Sequence, residues 1–83
     1  MSGVEDVRAA LEQVKDEINR ARVCANTARR LVDEALAIIA GVESDHHERI
    51  TPPQAGLVTA DLDRTLESLS GSELAVDTVL SRL

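Results

Sequence analysis

Asp45-His46-His47-Glu48 is the one stretch where side chains of metal-binding type stand together. Imidazole and carboxylate are ligands for zinc and related cations, and imidazole also changes charge close to neutral pH. The spacing is poor for a tight site, because a closed site needs three or four converging ligands and the helical pattern of His at i and i+4 is absent. Cys24, the single cysteine, lies about 20 residues upstream, roughly 30 Å away along a helix. No His or carboxylate shares its face within a turn, so the base that activates a thiol nucleophile is missing. Gly-rich phosphate loops, Gly-x-Ser-x-Gly elbows and Cys-x-x-Cys pairs do not occur. The residues therefore predict no catalytic group, no cofactor and no metal site. The alternative is a metal- or pH-responsive loop built on His46 and His47.

A second set of chemically active residues is periodic. Arg8, Lys15, Arg22 and Arg29 recur every seven residues, while Asp61, Asp63, Glu67, Glu73 and Asp77 make the later part of the chain mostly acidic. On two helices, such columns fix orientation by pairing across the contact. The competing reading is pairing within one helix, since Glu5 and Arg8, and Glu12 and Lys15, are i,i+3 neighbours.

Composition narrows the classes of function. The net charge of −6 disfavours a phosphate backbone. With no Phe, Tyr or Trp, the chain lacks the side chains that stack on bases or flavins and that anchor most interfaces. No run approaches the roughly 18 apolar residues of a membrane span, and Met1-Ser2-Gly3-Val4-Glu5-Asp6 has no basic-then-apolar leader pattern. The expectation is a cytoplasmic protein that binds neither nucleic acid nor membrane, and a lone thiol agrees with a reducing compartment. At 83 residues the chain is one domain, 1–83, near the lower size limit for a self-sufficient core.

The elements that must position these residues are two helices. Ser2 and Glu5 form a capping box, and no Gly or Pro follows until Gly41, which reads as the C-cap of a helix of about 38 residues. A polar connection spans Val42 to Thr51. Thr51-Pro52-Pro53-Gln54 then supplies a Thr cap, a Pro at the first helical position and a Gln three residues on. Ala55, Leu62, Leu69, Val76 and Leu83 carry a heptad register through Ser70-Gly71-Ser72, which predicts one continuous helix of about 30 residues. The rival is a break there, because Ser70 and Glu73 make their own capping box.

The first helix carries a row of small and apolar residues at coiled-coil spacing. Its interface positions are Val4, Val7, Leu11, Val14, Ile18, Ala21, Ala25, Ala28, Val32 and Ala35, continuing to Ile39 and Val42. The alanine centre calls for a closely approaching neighbour. Leu31, Leu36 and Ile38 widen the stripe beyond what a two-stranded coil needs. The fold expected is all-α, an antiparallel helical hairpin. The longer first helix would overhang near Val4, Val7 and Leu11, and two hairpins would pair into a four-helix-bundle homodimer. The partner is then a second copy or a similar helical protein, and the function a non-enzymatic protein–protein interaction or scaffold module.

This plan resembles the WXG family of helical hairpins exported by actinobacterial type VII secretion. Segments such as Val7-Arg8-Ala9-Ala10-Leu11-Glu12-Gln13-Val14 and Thr51-Pro52-Pro53-Gln54 are also similar to those of small actinobacterial helical proteins. The resemblance covers architecture over nearly the whole chain; the Trp-x-Gly turn and the aromatic export signal of the WXG family are absent. It implies pairwise association of hairpins and, as a further alternative, a type VII secretion substrate.

Overall fold

The apolar periodicity builds two helices and, among the described residues, no strand. In the computed structural model, which describes residues 3–46 and 49–83, α1 spans Gly3–His46 and α2 spans Ala55–Ser81. Contacts that climb one helix as they descend the other make the pair an antiparallel hairpin: Lys15 meets Asp77, Arg29 meets Asp63, and Glu43 meets Thr51. The molecule is a rod, with Cα extents of 68 × 14 × 14 Å. Its radius of gyration is 19.3 Å, against about 12 Å for a compact chain of this length.

Helix boundaries depart from expectation in two places. Gly41 does not end α1, which runs on to His46 and holds 44 residues. A helical Gly costs only about 1 kcal/mol, and continuing the helix keeps Glu43 on the face turned to α2, where it is half-buried. The capping box at Thr51 is not used either. Gln54 is the N-cap of α2 and makes no side-chain cap hydrogen bond. The physical reason lies in the proline pair: a residue preceding Pro is pushed out of the α region, so Pro52 before Pro53 cannot open the helix. Instead Pro52 and Gln54 accept backbone bonds from Ala55 and from Leu57 and Val58, a turn that hands over to α2. Ser2, the expected cap of α1, lies outside the described residues.

Gly71 does not break α2. The helix is continuous from Ala55 to Ser81, as the preserved heptad register predicts. The lengths, 44 and 27 residues, differ more than expected, so the start of α1 extends past the end of α2. Val4 and Val7 lie on that extension and remain about half exposed, at 47% and 48%. Leu11, expected there too, is half-buried.

The core is slight. Among the described residues, Ala25 alone is buried, with 8% of its surface still exposed. Along α1 the half-buried residues, Ala28 apart, fall in two heptad columns. One is apolar, with Leu11, Ile18, Val32 and Ile39 around Ala25; the other is Lys15, Arg22, Arg29, Leu36 and Glu43. From α2 they meet Leu62, Leu66, Leu69, Val76 and Leu80. The alanine at the middle of the apolar column lets the helices close where their ion pairs form.

Candidate interaction surface

The two helices form a ribbon with two broad faces, and the ion pairs belong to one of them. Lys15 Nζ stands 2.7 Å from Asp77 Oδ1, Arg22 pairs with Glu73, and Arg29 Nε donates to Asp63 Oδ1 at 2.9 Å. Arg29 also reaches Asp33 on its own helix. The pairs with Asp77, Glu73 and Asp63 cross between helices, as the basic and acidic columns suggest. Arg8, the fourth basic residue of the column, lies on the extension of α1 and is exposed. The Asp77 carboxylate, by hydrogen bonding and by charge, raises the pKa of Lys15, and Asp63 does the same for Arg29. Both cations are partly solvated, so the pairs select orientation and register more than they add stability.

At the turn end, Glu43 clasps the connection. Its Oε1 accepts from the Thr51 hydroxyl at 2.6 Å, from the Thr51 amide at 2.6 Å and from the Ile50 amide at 2.7 Å. These bonds, that of the hydroxyl foremost, lower the Glu43 pKa below the ordinary carboxylate value. The sequence points to Thr51 as a helix cap and misses this role. The available signal is that Glu43 continues the column of Lys15, Arg22, Arg29 and Leu36, which faces α2.

The other broad face is apolar and bare. A second pair of heptad columns runs along α1 there: Val7, Val14, Ala21, Ala28, Ala35 and Val42, flanked by Ala10, Glu17, Cys24, Leu31 and Ile38. Apart from Ala28, which is half-buried against α2, all are exposed; Val14 is 44%, Leu31 52% and Ile38 69% accessible. Glu17 is the only charge in the stripe, and it pairs with Arg20 one turn on. Ala10, Val14, Ile18 and Ala21 line an open groove of about 600 Å³ with Leu69 of α2. The α2 side of the face is smaller and more polar, with Val58 and Val79 at its ends and Thr65, Ser68 and Ser72 between.

The sequence-predicted interface row thus divides between two surfaces. Leu11, Ile18, Ala25, Ala28 and Val32 turn toward α2, while Val4, Val7, Val14, Ala21 and Ala35 stay exposed. The periodicity cannot separate the two, because both sets share the same three-and-four spacing. The thiol of Cys24 is exposed on the bare face. His47, Glu48 and the His46 side chain lie outside the described residues. Among the described residues no three His, Cys, Asp or Glu converge to hold a metal ion, and no helix is long and apolar enough to cross a membrane. No protein-family model, curated protein or solved structure matches the chain.

Proposed function

We propose that this protein is a non-enzymatic interaction module whose hairpin self-associates through its bare apolar face. The observation that carries the reading is a continuous apolar stripe on a hairpin that, among the described residues, buries only Ala25. An 83-residue hairpin with so little core needs a further source of burial. The chain exposes 6147 Å², whereas a compact folded chain of 8.9 kDa exposes about 4,800 Å². Covering the excess of about 1,300 Å² on each of two chains would make an interface of roughly 2,600 Å², within the range of obligate homodimers. Pairwise association is also what the resemblance to WXG hairpins implies.

Light scattering at micromolar concentration tests the reading, with a species of twice the chain mass expected. Leu31→Glu sets a charge on the bare face without touching the contact with α2. Burying that charge in each of two chains costs several kcal/mol in total, so dissociation should strengthen at least ~100-fold. A monomeric wild-type chain with a cooperative melt would remove the basis for the proposal.

A further inference from the structure

We propose that Thr51 is a phosphorylation site. An ATP-dependent protein kinase that accepts threonine in an extended, proline-flanked segment places a phosphoryl group at the Glu43 clasp and thereby releases the last turn of α1. This goes beyond the self-association proposed above and does not depend on it.

The first support is where the hydroxyl stands. Enzymes that modify side chains take up a few residues of chain in extended form, which a helix with its backbone bonds already satisfied does not offer. Among the described residues, Thr51 is the only Ser or Thr outside α1 and α2. It is exposed, and residues 49–52 form neither helix nor turn. The sequence enforces that conformation, because Thr51 precedes Pro52 and Pro52 precedes Pro53, and a residue before Pro is driven to extended backbone. Nor is Thr51 occupied as a helix cap, since Gln54 holds that position on α2.

The second support is what the hydroxyl touches. Thr51 Oγ1 donates to Glu43 Oε1 at 2.6 Å, and the same carboxylate oxygen accepts from the Ile50 and Thr51 amides. A phosphoryl group on Oγ1 removes the donated proton and sets close to two negative charges against that carboxylate. Like charges one hydrogen bond apart drive the phosphothreonine away from Glu43, and the amide bonds are lost with it. The helix ends act in the same direction. α1 presents its C-terminal end, which disfavours a phosphate, whereas α2 begins with an N-cap lacking a side-chain bond and with no acidic residue in its first turn. Phosphothreonine therefore leaves the end of α1 for the start of α2. Without the clasp, α1 stops at Gly41, a residue suited to a C-cap, and residues 42–46 lose their helical bonds.

The chemistry is ordinary phosphoryl transfer. Thr51 Oγ1 attacks the γ-phosphorus of ATP, and the Oγ1–P bond forms as the bond from that phosphorus to the β,γ-bridging oxygen breaks. ADP leaves, and the hydroxyl proton passes to the base of the kinase.

Two measurements test the site and its consequence separately. Mass spectrometry of the full chain isolated from the cells that make it, with phosphatases inhibited, should find one phosphoryl group on the fragment carrying Thr51, and none on a Thr51→Val chain made in the same cells. Phosphate on a helical hydroxyl instead, or none at all, overturns the site. For the consequence, the full chain is synthesised with phosphothreonine at position 51 and compared with the unmodified chain by amide hydrogen exchange at one concentration. Exchange at residues 42–45 should rise at least ~10-fold, as expected for losing hydrogen bonds to a charged group, while residues 18–32 stay unchanged. Thr51→Val, which keeps both amide bonds, should give a smaller rise. Unchanged exchange at 42–45, or a rise along the whole chain, overturns the local release of α1.

Discussion

Replacing Gly71 and Gly41 by alanine should stabilise the hairpin. Both glycines sit inside helices, Gly41 in α1 and Gly71 in α2, with ordinary backbone and nothing within 4 Å of where a Cβ would stand. Alanine at such a position gains about 1 kcal/mol, mainly because the unfolded chain loses freedom that glycine keeps. By the hairpin register, Gly71 lies near the level of Arg22, so the two sites are about 28 Å apart and their effects should add. The double variant should thus gain about 2 kcal/mol, which for a domain of this size raises Tm by about 8 to 16 °C. Thermal and urea melts followed by circular dichroism at one fixed chain concentration measure it, since association itself shifts apparent stability. The urea slope should stay the same. A Gly71→Ala variant with no gain would mean that the helix restarts at Gly71 with Ser70 as its cap, where alanine and glycine differ little. A loss would mean that another backbone approaches the position closely.

Three further outcomes follow from side-chain geometry. Glu43 has a folded pKa below its unfolded one, so its stabilising effect is complete above the unfolded value and is lost as pH falls through the folded value. Glu43→Gln should flatten that part of the acid limb of a stability–pH curve, and an unchanged limb would place the clasp elsewhere. Thr59 carries a buried hydroxyl oxygen without a hydrogen-bond partner, so the near-isosteric Thr59→Val should stabilise the fold by about 1 kcal/mol, seen as a higher urea midpoint at an unchanged slope. Reversing Lys15 to Glu should lower the melting temperature, and Asp77→Lys in the same chain should restore it; additive effects of the two reversals in low salt would show that their contact is not coupled.

Two long helices, their antiparallel pairing and the continuity of α2 through Gly71 were legible because they depend on local preference and apolar period. Register outweighed one glycine, as it did again at Gly41, where a C-cap signal lost to a helix that keeps Glu43 against α2. The start of α2 was misplaced for a related reason: Thr51-Pro52 satisfies the cap pattern by residue type, yet the following Pro53 denies Pro52 the backbone angles, and Thr51 bonds to Glu43 instead. The cross-helix pairs of Lys15, Arg22 and Arg29 were legible as columns, but their competition with pairs inside one helix was open until the partner helix was in place.

What the sequence determines by itself is that α1 carries an apolar stripe wider than the face a single helix covers. A period of 3.5 residues specifies that some face of a helix is apolar, and a wide stripe contains two such faces with identical spacing. Which of them α2 takes is a tertiary matter. The structure turns the column of Leu11, Ile18, Ala25, Val32 and Ile39 inward because the column beside it carries the Lys and Arg that meet Glu73, Asp77 and Asp63 on α2. That choice leaves Val14, Leu31 and Ile38 bare on the opposite broad face.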